Sequence, residues 1–246
     1  MKKQLNANHL KLIAIIAMTV DHLSDLIFPG YPMHPASLGL HLIGRLTAPI
    51  MWFFVCEGFY YTQNLKKYLL RMFIFAVISH FAYCFAFGIS YIPFRDSIFN
   101  QTSVMWPLFW AVVALWIYNA ENKLKSWHKY ALLMLINVIT FPSDWSCIAV
   151  MAILSMYDYR NDIKKQTLAM LCWVLMYALI SFFFVSKVYG LIQMGVIFVY
   201  PLMKLYNGEK GKAKWMKWLF YLYYPAHLVM LGILRLIIHG DVPLLF

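Results

Sequence analysis

Charge is scarce in this sequence. Of its 246 residues 13% are Asp, Glu, Lys or Arg, only 10 of these are acidic, and 63% of the chain is apolar. An average soluble domain carries about 25% charged and about 45 to 50% apolar residues, so an ordinary soluble protein is excluded. Long polar stretches are missing as well. Nothing like a soluble domain of about 100 residues is left over, which confines any chemistry to the bilayer and its faces. Cysteine is scarce: Cys56, Cys84, Cys147 and Cys172 sit in separate apolar runs without C-x-x-C spacing. They read as small core residues, with neither a disulfide framework nor a zinc knuckle indicated. No Gly-rich phosphate loop, H-E-x-x-H or G-x-S-x-G occurs, and no two histidines are spaced i, i+4, so no metal is expected.

What the chain has in abundance is apolar runs near the 20 residues that a transmembrane helix needs. Hydropathy and breakers together predict an all-α, polytopic membrane protein forming one domain over residues 1–246, with nine spans. They fall near His9 to Phe28, Leu38 to Tyr61, Tyr68 to Gly88, Val104 to Tyr118 and Lys129 to Phe141. Trp145 to Tyr157, Gln166 to Val185, Val188 to Tyr206 and Trp218 to Ile238 follow. The fifth and sixth are short enough to form a re-entrant hairpin meeting at Ser143 to Trp145. No A-x-A-like cleavage site follows the first apolar run, which reads as a retained span.

The 21 cations against 10 acids give a formal charge of +11. Nucleic acid is not the expected partner, because these cations lie in short connectors rather than on one open face. Lys2, Lys3, Lys11, Lys66, Lys67, Arg71, Lys123, Lys125, Lys129, Arg160, Lys164, Lys165, Lys204, Lys210, Lys212, Lys214 and Lys217 all fall on one side of the nine-span threading. Only Arg45, Arg95, Lys187 and Arg235 fall elsewhere. The excess of Lys and Arg in cytoplasmic loops then predicts an N-inside, C-outside orientation. Asn100, Gln101 and Thr102 match the N-x-T glycosylation pattern in an external loop.

A charge at mid-bilayer costs at least about 2.5 kcal/mol, so ionisable residues inside spans require a reason. The first span carries Asp21, His22 and Asp25, the second His41, Arg45 and Glu57, the third Ser79 and His80, and the ninth His227 and Arg235. At about 1.5 Å per residue, His22, Arg45 and His227 approach one level near the midplane, while Glu57 lies toward the cytoplasmic face. Adjacent helix positions point about 100° apart, so Asp21 and His22 divide the work. Asp21 is the natural counter-ion for Arg45. His22 is then left to exchange protons, with Asp25 at i+3 able to orient its ring. Polar contacts that merely hold helices together are the alternative reading, and a stronger one for His41 and His80, each alone on an apolar stretch. In the last span Pro225 predicts a kink and a cavity beside His227.

Five segments carry a resemblance: LKLIAIIAMTVDHL from Leu10, LIGRLTAPIMWFFVCEGF from Leu42, KKYLLRMFIFAVISH from Lys66, SDW from Ser143 and FYLYYPAHLVML from Phe220. Together they resemble the TraX family, named after the conjugative pilin acetylase. That family is similar to the wider transmembrane acyltransferases, including acyltransferase-3 and lysosomal heparan N-acetyltransferase. The motif positions are Asp21, His22, Gly44, Arg45, Glu57, Tyr68, Arg71, Asp144, Tyr224, Pro225 and His227; Asp25 is not among them.

The resemblance implies a multi-pass protein of a bacterial cytoplasmic membrane that moves an acyl group, most simply acetyl, from acetyl-CoA to an acceptor amine or hydroxyl. The acceptor can be a peptide, sugar, lipid or small metabolite. His22 is the expected general base. Arg45 or His227 is expected to stabilise the developing oxyanion, and Asp21 to act with them. Glu57, Tyr68, Arg71, Tyr224 and Lys217 are the expected donor-binding residues, with Lys66 and Lys214 nearby to hold the coenzyme A phosphates. The rival reading of the same Asp, His, Arg and Glu cluster is a proton-coupled small-molecule transporter. A non-catalytic scaffold is a further rival.

Overall fold

The computed structural model describes residues 4–92, 95, 97–120 and 125–244, without the side chain of residue 217. Lys2, Lys3, Lys123 and the side chain of Lys217, all counted above, thus lie outside the described residues. Among those described, every regular element is helical, apart from two isolated bridges.

The first helix, α1 (Ala7–Ile27), opens on a capping box in which the Asn6 side-chain oxygen Oδ1 accepts from the His9 backbone N–H and the His9 ring accepts from the Asn6 N–H. The expected second span is two helices, α2 (Pro35–Gly44) and α3 (Thr47–Tyr61), separated at Arg45 and Leu46. Pro49 explains the break: it has no N–H for the carbonyl of Arg45, four residues earlier, and its ring crowds that carbonyl. Then come α4 (Leu65–Phe87), α5 (Met105–Tyr118), α6 (Ser126–Thr140), α7 (Ile148–Asp158) and α8 (Ile163–Phe184). The expected span from Val188 to Tyr206 is likewise broken, into α9 (Lys187–Gln193), a 3-10 segment (Met194–Phe198) and α10 (Val199–Lys204). Pro201 denies the carbonyl of Ile197 its partner within that 3-10 segment. The last helix, α11 (Met216–His239), runs unbroken through Pro225.

Among the described residues, four helical stretches are long and apolar enough to cross a membrane: Pro35–Tyr61, Leu65–Phe87, Ile163–Phe184 and Trp218–His239. In α1 the length is present, but Lys11, Asp21, His22 and Asp25 dilute its hydropathy. Helices α6 and α7, of 15 and 11 residues, extend only about 22 and 16 Å, short of a hydrocarbon core of about 30 Å. Their connector lies inside the bundle, where the Trp145 ring sits 5.7 Å from the Arg45 guanidinium.

Side-chain pairs fix the helix directions. Asn8 meets Ala213, Thr19 meets Tyr223 and His239 meets Leu26, so α1 and α11 run parallel. Met72 meets Tyr221 and Phe85 meets Arg235, so α4 runs parallel to both. Thr47 bonds the carbonyl of Ala14 while Arg45 reaches Asp21, so the α2–α3 pair runs antiparallel to α1. Two connectors then close over this bundle. Asp144 donates its N–H to the Thr102 carbonyl at 2.8 Å, and Gln101 donates to Pro142 at 2.6 Å. Trp145 and Ser146 both adopt left-handed φ values, 64° and 50°, a conformation that costs L-residues energy and gathers at functional sites.

Candidate functional site

Asp21 is held from two sides. Arg45 Nη2 donates to its Oδ2 at 2.5 Å, and His41 Nδ1 donates to its Oδ1 at 2.8 Å. The approach depends on Gly44, since a Cβ built there would stand 2.3 Å from Asp21 Cγ. Arg45 is further fixed by Gln193, whose Oε1 accepts from Nη1 at 3.0 Å, and by the His41 carbonyl, which accepts from Nε at 3.4 Å. Gln193 occupies the last turn of α9 and anchors its own amide on the Tyr189 carbonyl. The buried guanidinium is therefore paired and hydrogen-bonded, the condition under which a charge is tolerated away from water.

His22, one residue on, faces the opposite partner. Its Nδ1 lies 2.8 Å from His227 Nε2, and the two rings are parallel within 1°. His227 Nδ1 lies 2.9 Å from the Tyr223 carbonyl, which only accepts, so that nitrogen carries the proton. In neutral His227 the Nε2 atom must then accept, His22 Nδ1 must donate, and the lone pair of His22 falls on Nε2. The chain of bonds dictates the tautomer.

A small hollow of about 30 Å³, room for one or two waters, lies against these groups. Asp21, His22, Gly44, Asp144, Trp145 and Tyr224 contribute to its wall, with Met18, Thr47, Ala48, Met51 and Val104 completing it. The hairpin between α6 and α7 thus delivers Asp144, and Trp145 braces the wall edge-on against Trp52.

Two sequence expectations on geometry need correction. Asp25 does not orient His22: its carboxylate takes the Tyr31 hydroxyl and stands 3.9 Å from His41 Nε2. At i+4 from Asp21 it lies on the α2 side of α1, the face His22 turns away from. Nor does the hollow adjoin His227 directly, because Tyr224 lines it instead. The N-x-T match at Asn100, of a kind that arises commonly by chance, falls on a side chain that is buried and bonds Tyr189.

These contacts are spread over nearly the whole sequence, and so is the match to known proteins. A family model described as TraX protein matches residues 6–235. The chain belongs to the TraX family. It is 33% identical over 233 residues to a protein of Dichelobacter nodosus named "Probable fimbrial assembly protein FimC, serogroup H1", covering 92% of this chain and 94% of that one. No solved structure matches.

Within this TraX protein the four residues expected to be catalytic, His22, Asp21, Arg45 and His227, are brought together, and Tyr224 joins them. The other expected donor-binding residues lie toward the end carrying the basic connectors. Arg71 sits between the rings of Tyr68 and Tyr221, 5.4 Å from each, and its buried Nε has no hydrogen-bond partner among the described residues. Glu57 is engaged by Arg160 at 2.9 Å, and the Arg160 guanidinium covers the Tyr60 ring at 3.4 Å. Sequence reasoning missed His41 and Gln193 as partners of the ion pair. The signal for His41 was present: it lies four residues before Arg45, on the same helical face.

Proposed function

We propose that this TraX family member is a membrane-embedded acyltransferase that moves an acetyl group from coenzyme A to an acceptor amine or hydroxyl. The observation that carries the reading is the placement of a basic nitrogen, His22 Nε2, on a ring that lines a water-sized hollow beside two carboxylates. The acceptor nitrogen or oxygen attacks the thioester carbon while its proton passes to His22 Nε2. Collapse of the tetrahedral intermediate expels the coenzyme A sulfur, which takes that proton back as a thiol and leaves an amide or ester. General-base catalysis of this kind contributes about 10² to 10⁴-fold. His227 accepts the His22 Nδ1–H throughout, so the imidazolium formed in the first step stays fixed. Asp21 supplies a fixed negative charge to the same wall. Arg45 already spends three donors on Asp21, Gln193 and His41 and does not line the hollow, so it serves by holding Asp21.

The unpartnered Arg71 Nε, framed by two tyrosines, suits a coenzyme A phosphate. Tyr68, Lys66, Lys214 and Lys217 complete that end, which we assign to the cytoplasm in a nine-span, N-inside arrangement of a bacterial cytoplasmic membrane. Tyr221 and His227 are six residues, about 9 Å, apart along α11, so the pantetheine arm spans from Arg71 toward the hollow. The hollow holds only water-sized groups, so binding requires α1 and α11 to part near Tyr224. The fimbrial name of the Dichelobacter nodosus relative favours the amine of a fimbrial subunit as acceptor.

Purified protein in nanodiscs, supplied with radiolabelled acetyl-CoA and membrane extract, should yield labelled product with wild type and none with His22→Ala. Substrate accumulation in vesicles without acetyl-CoA, abolished by the same substitution, would replace this reading with proton-coupled transport.

A further inference from the structure

His41 is fully buried, and both of its ring nitrogens are engaged in different ways. Nδ1 faces Asp21 Oδ1 at 2.8 Å, while Nε2 faces Ser24 Oγ at 3.2 Å with Asp25 Oδ1 standing at 3.9 Å. A carboxylate only accepts, so Nδ1 carries the proton and, in the neutral ring, Nε2 takes the Ser24 hydroxyl hydrogen. Tyr31 closes the ring face at a centroid distance of 4.4 Å. Every degree of freedom of the imidazole is therefore used up by α1, by the α1–α2 connector and by its own helix.

This has a consequence for Asp21. A carboxylate paired with Arg45 alone still swings about the line joining Cβ and Cγ, and a swing of about 1 Å at a reacting centre costs on the order of 10²-fold in rate. The second oxygen, pinned by His41, removes that freedom. From these contacts we infer that His41 is a positioning residue of the acyl-transfer site: it locks the Asp21 carboxylate in the wall of the hollow, acting through Asp21 and touching no substrate. The inference rests on the acyltransferase reading given above. It extends that reading to a residue outside the motif positions of the family, one that sequence alone treats as a packing histidine.

Two isosteric substitutions separate positioning from packing. The amide nitrogen of Asn overlays Nδ1 of histidine, and that of Gln overlays Nε2. His41→Asn keeps the donor to Asp21 and gives up Ser24; His41→Gln keeps Ser24 and leaves Asp21 Oδ1 unpaired. Leaving a buried carboxylate oxygen without its hydrogen bond corresponds to about 10- to 100-fold. In the nanodisc assay with labelled acetyl-CoA, kcat should stay within threefold of wild type for His41→Asn and fall about 10- to 100-fold for His41→Gln, with KM for acetyl-CoA unchanged in both. His41→Gln should also unfold at a lower temperature in detergent than His41→Asn, because it strands a buried carboxylate oxygen. Equal kcat for the two variants, or the reverse order, overturns the positioning role. An inert wild type overturns the acyltransferase reading instead, and the order of the two melting temperatures then decides separately whether Asp21 is what His41 holds.

Discussion

Gly44→Ala is the sharpest perturbation the structure offers. The new methyl would stand 2.3 Å from Asp21 Cγ and 2.4 Å from its Cβ. Ordinary contact begins near 3.4 Å, so something must move by about 1 Å. Asp21 cannot swing away freely, because Arg45 and His41 hold its two oxygens. A retreat of that size lengthens the bond to Arg45 from 2.5 Å toward the limit of a hydrogen bond. Overpacking alone costs about 1 to 3 kcal/mol, and loosening a buried ion pair adds to it. At about 2 to 4 °C per kcal/mol for a chain of this size, the melting temperature in detergent should fall by at least about 5 °C. Acetyl transfer should fall on the order of 10²-fold through misplacement of Asp21. Gly39→Ala is the control on the same helix, since a Cβ there meets nothing within 4 Å, and it should leave both readouts unchanged. In an Asp21→Gly background, which removes the Cβ as well as the carboxylate, the steric cost of Gly44→Ala should disappear, because the two sites are coupled by contact. A Gly44→Ala protein that melts within 1 °C of wild type and transfers at full rate would refute the account of how Asp21 is seated.

Three further outcomes follow from the same geometry. His227→Ala should lower kcat about 10- to 100-fold without changing KM for acetyl-CoA, because His22 loses the acceptor that fixes its tautomer, whereas His22→Ala should remove transfer altogether; single-turnover measurement with labelled donor checks both. Arg71→Gln should raise KM for acetyl-CoA at least about 10-fold at unchanged kcat, the effect of one lost charge-assisted bond, and added salt should weaken binding by wild type more than by the variant. Expression in a glycosylating host should give no mass shift on endoglycosidase treatment at Asn100, since the side chain is buried against Tyr189.

Much of this protein was legible in the amino-acid order. Composition excluded a soluble fold, and apolar runs located helices whose existence the structure bears out, though with different ends. Breaks inside apolar runs were less visible. Around Arg45 and around residues 194–198 hydropathy stays high, and only prolines, at positions 49 and 201, mark where a carbonyl four residues earlier loses its partner. The pairing of Asp21 with Arg45 could be foreseen because opposite charges at one depth in lipid have few alternatives. The meeting of His22 with His227 could be foreseen from their common level.

Sequence by itself determined that the chain is helical and apolar, and which charges lie deep enough to need partners, because burial free energy and helix rise depend only on local composition and spacing. Tertiary structure alone decided who those partners are. Asp25 turned to His41 and Tyr31 rather than to His22, and a lone histidine became the second hand on Asp21. Both outcomes depend on the rotation of α1 against α2 and α11, an angle set by packing between different helices, such as Gly44 with Asp21 and, 205 positions apart, His22 with His227.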